Sequence, residues 1–157
     1  MPFRYIGLPP KSFAPLFALN DDELLERGIC RMVVDEKPGF PCRVTLEDAE
    51  PGESVLLLPF EHQPAHSPYR ASGPIFVREE AKAVSDYVGA PPASLRGRLL
   101  SVRAYAQDGM MVDADVTPGE ALEALLERLF ADPATAYVHV HNAKRGCYAA
   151  RVERAPG

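Results

Sequence analysis

Three groups of side chains in this sequence have types and spacings that could do chemistry. The first is Tyr137, His139 and His141, which alternate with Val138 and Val140. Period-two alternation is the mark of a strand, so the three polar rings share one face and the valines the other. Two histidines about 7 Å apart on one strand face can ligate a single metal if a third donor comes from elsewhere. His62, His66, Asp113 and Cys42 are candidates for that third place. The plainer reading is a pair of solvent-facing or hydrogen-bonded imidazoles with no metal at all.

The second group is cationic: Arg70, Arg103 and Arg145, the last beside Lys144. A guanidinium matches the planar geometry of a carboxylate or phosphate, so arginines converging on the histidines would suit a small anionic molecule. Ordinary cross-strand ion pairs and a solvated turn would account for the same residues. The third is Cys147, directly after Lys144-Arg145-Gly146. Nearby positive charge favours a thiolate, and His141 across the predicted turn would make a Cys–His nucleophile geometrically available. A buried, inert cysteine is the commoner fate of such a residue. No phosphate-binding loop, Gly-x-Ser-x-Gly elbow or dinucleotide fingerprint occurs, so no cofactor is specified.

The elements that must position these groups follow from pattern. Residues 3–6 and 29–34 read as strands, and Asn20 followed by Asp21, Asp22 and Glu23 reads as a helix start that Gly28 stops. Residues 42–46 are a candidate strand. The run Val55-Leu56-Leu57-Leu58 has no polar alternation, which places it centrally in a sheet with both faces buried. Residues 60–74 carry Pro64 and Pro68 and little periodicity, and read as a long ordered loop; strand resumes over 74–77. Residues 79–88 fit helix or strand equally.

Asp108-Gly109 marks a hairpin. A three-residue loop would set Val102 against Ala114 and Ala104 against Val112, with Arg103 facing Asp113, Tyr105 facing Met111 and Ser101 facing Asp115. Thr117-Pro118-Gly119-Glu120 has the form of a capping box, opening a helix to about residue 131 with Leu122, Leu125, Leu126, Leu129 and Phe130 as its apolar stripe. After the histidine strand, residues 143–146 turn the chain into a last strand, 147–152. Either Ala150 would then lie opposite His139 or Ala149 opposite His141, leaving space beside an imidazole.

Composition sets the frame. The 157 residues are 46% hydrophobic and 25% charged, ordinary for one globular domain spanning residues 1–157, and the 16 prolines are scattered as in rigid loops. A net charge of −5 argues against nucleic acid as a partner, since binding it requires a positive field. No apolar run is long enough to span a membrane. Three widely spaced cysteines without a Cys-x-x-Cys pair, and a start without a secretory pattern, fit a reducing cytoplasm. Nothing in the sequence favours monomer over dimer.

Three stretches resemble a known family. Tyr69-Arg70-Ala71-Ser72-Gly73-Pro74-Ile75-Phe76-Val77-Arg78, His139-Val140-His141-Asn142-Ala143-Lys144-Arg145-Gly146-Cys147-Tyr148 and Lys37-Pro38-Gly39-Phe40-Pro41-Cys42-Arg43 are similar to signature segments of an uncharacterised bacterial family, domain of unknown function 1203. The resemblance covers nearly the whole chain. It implies a small single-domain bacterial protein, brings no catalytic residues, and suggests that residues 69–73 and 142–147 belong to one feature.

The expected fold is α+β, a mainly antiparallel mixed sheet with one long amphipathic helix on one face and one or two short helices. The expected function is binding, or turnover, of a small anionic metabolite in an Arg/His-lined cleft. Arg70, Arg103 and Arg145 would hold the anion, with Ser72 and Asn142 beside them, and Tyr69 and Tyr105 would orient it. His139, His141 or Cys147 would do the chemistry. The alternatives are a metal site on His139 and His141, and a non-catalytic interaction module working through an apolar patch or sheet edge.

Overall fold

The computed structural model describes residues 2–156. Nine strands are formed: β1 Phe3–Ile6, β2 Cys30–Val33, β3 Ser54–Gln63, β4 Ala71–Arg78, β5 Asp86–Val88, β6 Leu99–Tyr105, β7 Met111–Pro118, β8 Tyr137–Asn142 and β9 Tyr148–Arg154. They make two sheets, a six-stranded one in the order β5-β1-β9-β8-β6-β7 and a three-stranded one in the order β2-β3-β4. Every strand pairing is antiparallel. The helices are α1 Asp21–Glu26, α2 Ala93–Arg96 and α3 Leu122–Ala131. This is the α+β class read from the sequence. Among the described residues no helix is long and apolar enough to cross a membrane.

The two faces of the large sheet are covered by different means. On one, Leu122, Leu126 and Leu129 of α3 pack against Val102 and Ala104 of β6, Val138 and Val140 of β8, and Val152 of β9. Each fully buried leucine there contributes roughly 1.5–3 kcal/mol. On the other, the small sheet contributes Leu56, Leu58, Ile75 and Val77, which pack with Phe13, Leu24 and Tyr148 of β9. Val55 points the opposite way, into a separate cluster with Val34, Phe40 and Ala49. The 55–58 run is therefore covered on both faces, as its lack of alternation predicts. At α1 the capping box is complete: Asn20 Oδ1 accepts from the Glu23 amide at 2.9 Å and the Glu23 carboxylate accepts from the Asn20 amide at 3.0 Å.

Several expectations are corrected, each by local geometry. Residues 60–74 are not one long loop, because β3 runs on to Gln63 and β4 begins at Ala71. Residues 42–46 form a turn rather than a strand. The 117–120 capping box does not form: Thr117 and Pro118 stay in β7, and Thr117 Oγ1 donates to the Pro118 carbonyl at 3.0 Å. A 3-10 turn, Gly119–Ala121, leads into α3 instead. Gly119 is needed there because a Cβ would lie 1.9 Å from the Leu95 carbonyl oxygen of α2.

The β6–β7 register departs from the expected one after its first pair. Tyr105 faces Met111, but Val112 is an extra, bulged residue, and beyond it Ala104 faces Asp113 and Arg103 faces Ala114. Asp113 and Asp115 then reach α3, where Arg128 pairs with them at 3.0 and 2.8 Å. Arg103 is released from the ion pair expected for it.

Candidate metal centre

The space between the two sheets holds three histidines. His139 and His141 project from β8 on the face opposite its valines, and both are buried, at 3% and 1% exposure. His62 comes across from β3. One donor nitrogen from each ring lies within 4.8 Å of the donor nitrogens of the other two. The ring centroids of His62 and His141 are 4.9 Å apart, and those of His62 and His139 are 6.5 Å apart.

A bulge delivers His62. Between the pairs Phe60↔Gly73 and Gln63↔Ala71, β3 carries one residue more than β4. Bulges re-aim side chains, and here two sequence neighbours both reach β8, His62 at the histidines and Gln63 through an Nε2 donation to the Tyr137 hydroxyl at 3.0 Å. The short 64–70 connection is pinned by Ser67 Oγ, which donates to the Gly109 carbonyl at 3.0 Å. Gly109 has φ +85°, and a Cβ there would meet Ala65 at 2.3 Å, so glycine fits both the hairpin and this contact.

Tyr148 closes the far wall. A second bulge, at Ala149 in β9, sets Tyr148 opposite His141 and Arg151 opposite His139. Neither alanine register expected from the sequence occurs, and the space beside the imidazoles is filled by a ring. Tyr148 stacks on His62, 5.7 Å between centroids and 9° between planes, and presents an edge to His139 and His141. Burial pushes its phenol well above the ordinary tyrosine range. Tyr105 and Tyr137 complete the surround, each 5.2 Å from His139.

Hydrogen bonding assigns part of the proton inventory. His141 Nδ1 is 2.9 Å from the Gly146 carbonyl, which can only accept, so Nδ1 carries the hydrogen and Nε2 offers a lone pair. Arg103 Nη1 lies 3.4 Å from that Nε2. The Nδ1 atoms of His62 and His139 are buried without a hydrogen-bond partner. Leaving a buried nitrogen unsatisfied costs on the order of 1–3 kcal/mol, and two of the three rings of the cluster carry one. Burial, reinforced by neighbouring positive groups, lowers the pKa of His139 to about 3. Burial likewise lowers His141 to about 4, against the opposing bond to Gly146, and Arg103 and His62 press the same way. His62 is lowered by burial and by Arg103. All three rings are neutral near pH 7, the form that ligates metals.

The other residues singled out in the sequence separate. Arg103 and Tyr105 are at the histidines, and Tyr69 packs on Tyr105 at 6.2 Å. Arg70 is spent on an exposed pair with Glu61 at 2.9 Å. Ser72 lines a hollow with Cys30, Leu57 and Pro74. Asn142, Arg145 and Cys147 line a further cavity behind the 142–147 turn. The two nitrogens of His141 face Gly146 and Arg103, so no Cys147–His141 pair forms. Of the proposed third ligands, His62 is the one at the cluster, while the Cys42 sulfur accepts from the amides of Thr45 and Arg78. Tyr148 and Arg43 were not singled out as site residues; the signals available were their places at the ends of two family-like stretches and the adjacency of Tyr148 to the turn.

The geometry defines a class: a two-sheet α+β protein with a compact three-histidine cluster between the sheets. The chain belongs to the family described as protein of unknown function (DUF1203), whose family model matches residues 39–154. The match includes all three histidines and their aromatic surround. No curated protein and no solved structure matches this chain.

Proposed function

We propose that this is a metal-binding protein whose centre is formed by His62, His139 and His141, with an open position for a small anionic ligand beside Arg103. The observation that carries this reading is the convergence of three neutral imidazoles in which two buried Nδ1 atoms have no partner. A metal accepts the lone pairs that the protein leaves unused. Three nitrogen ligands and a vacant fourth position make the arrangement of catalytic zinc, and imidazole also suits copper, nickel and iron. The bond from His141 to the Gly146 carbonyl is the outer-shell contact that orients a ligating histidine.

The fit can be tested by distance. Tetrahedral zinc with bonds of about 2.0–2.1 Å holds its nitrogens ~3.3 Å apart. From separations of up to 4.8 Å the rings would close by ~1.5 Å. His62, the least buried of the three and carried on a bulge, is the ring able to move.

Arg103 carries the anionic half of the reading. Among the described residues no carboxylate pairs with it, and its contact to His141 uses the same Nε2 lone pair that a metal would take. Loading would free the guanidinium beside a dication, where an anion neutralises both.

Metal analysis after purification and cobalt(II) titration test this reading. One metal per chain is expected, with the intense visible absorption of four-coordinate cobalt, lost in His139→Ala and His62→Ala. A folded protein that retains no zinc, nickel, copper or iron and gives no cobalt spectrum would overturn it.

A further inference from the structure

Behind the 142–147 turn, where the ends of β2, β4 and β6 meet, is a cavity of about 500 Å³. Four cationic residues line it, Arg43, Arg98, Lys144 and Arg145, against the single carboxylate of Glu36. This is an inversion of sign in a chain of net charge −5. Arg98 is neutralised by Asp48 at 2.6 Å. Lys144 and Arg145 are exposed and have no ion pair among the described residues.

Arg43 is the informative member. It is 2% exposed and among the largest fully buried side chains of the protein. Its Nε donates to the Tyr148 carbonyl at 2.7 Å and its Nη1 to the Pro41 carbonyl. Among the described residues those carbonyls are the only oxygen acceptors for five N–H donors, and no carboxylate pairs with it. Burial pushes its pKa down, and the neighbouring Cys147 and Cys42 sulfurs offset part of that. A guanidinium nevertheless stays charged, and burying a charge without a counter-charge costs several kcal/mol. On the same wall, Asn142 Oδ1 is buried without a partner. Phe40 and Phe76 line the cavity too, with ring centroids 5.0 Å apart.

We infer that this cavity binds a small organic oxoanion, its carboxylate or phosphate on Arg43, Arg145 and Lys144 and its apolar body against Phe40 and Phe76. The volume suits a metabolite rather than a bare ion. The buried guanidinium supplies bidentate geometry, and the two exposed cations raise the local concentration of anions. The site is separate from the histidine centre, and its test runs with chelator present so that no metal takes part.

The probes are phenyl phosphate and neutral phenol, followed by amide NMR shifts on the labelled protein. Phenyl phosphate is expected to shift the 142–147 amides and protect Cys147 from iodoacetate, leaving the exposed Cys30 unprotected. The double variant Lys144→Gln/Arg145→Gln, at two exposed positions outside the core, should weaken binding about tenfold. Phenol binding as well as phenyl phosphate, or shifts lying elsewhere, would overturn the inference. So would an absence of shifts at millimolar phenyl phosphate.

Discussion

The histidine centre and the Arg43 cavity answer the same problem, a buried group the protein does not satisfy, with opposite electrostatics. Between the sheets, burial favours the neutral form of three titratable rings, which suits an acceptor of lone pairs. Behind the turn, a group that cannot give up its proton is buried with no carboxylate paired to it among the described residues, which favours a negative charge. On the two proposals made above, unsatisfied burial would select ligands of opposite chemistry: an electrophile in one case, an oxoanion in the other. The three-histidine site is built on strands and aromatic packing, while two of the cavity's three unpaired cations sit on an exposed turn.

The contrast can be broken most forcefully at Tyr148. Tyr148→Ala removes a buried ring stacked on His62 and should cost about 3–5 kcal/mol, read as a lower urea midpoint. Its backbone carbonyl, the acceptor for Arg43, is retained, so Cys147 protection by phenyl phosphate should persist under conditions where the variant is folded. If protection is lost along with metal binding, the two regions are one unit.

Next in size is the loss of a ligand. His141→Ala should weaken zinc about 100-fold or more by chelator competition, with the phenyl phosphate response unchanged. Equal zinc affinity in the variant would remove His141 from the centre.

The pH dependence separates the regions without mutation. The native pKa values of His139 and His141, about 3 and about 4, lie below the unfolded value of about 6.5. The unfolded chain therefore takes up protons first on acidification. The stability of the metal-free protein is full above about pH 6.5 and drains as pH falls toward 4, by on the order of 2 kcal/mol per histidine. Urea midpoints in chelator at pH 7 and 4.5 should show this, and His139→Phe should flatten the slope. Arg43 does not titrate in that window, so a flat profile in the parent protein would mean that the rings are not buried as described.

Smallest is Arg70→Ala, which breaks an exposed pair with Glu61. It should shift stability by less than about 1 kcal/mol and leave zinc and phenyl phosphate binding alone. A measurable loss of either would return Arg70 to a site.

Much of the scaffold was legible because it rests on periodicity. The alternation of β8 put His139 and His141 on one face, the α3 stripe predicted its buried side, and the 55–58 run predicted a doubly covered strand. What escaped was set by single inserted residues. The bulges at Val112 and Ala149 each shift a register by one, and one residue reverses every facing pair beyond it. One shift undid the Arg103–Asp113 pair and the other replaced an alanine with Tyr148 opposite His141. The 60–74 error came from proline: Pro64 and Pro68 do lie in the true 64–70 connection, but the loop was extended over strand on both sides of it. Pro59 and Pro74 face each other in the β3–β4 ladder, at a level where β2, which pairs only with Ser54 to Leu57, no longer needs an N–H from β3. Proline is tolerated at such edges, and reading it as a loop hid the strand that delivers His62. Arg43 stood at the end of a family-like stretch, but its burial was not legible there, because it depends on contact with Tyr148, 105 residues away.

The turn at 142–147 has a consequence of its own. Its Gly146 carbonyl holds His141, its Asn142, Lys144, Arg145 and Cys147 line the cavity, and the next residue shows its ring to His62 and its carbonyl to Arg43. If both proposed ligands bind, they would lie on either side of one six-residue strap and share its backbone. By linkage, whatever factor the first exerts on the affinity of the second is returned unchanged. The unchanged phenyl phosphate response predicted for His141→Ala corresponds to a factor near one, a strap rigid enough to serve both sides separately; a larger factor would make this single bend of the chain the balance arm between them.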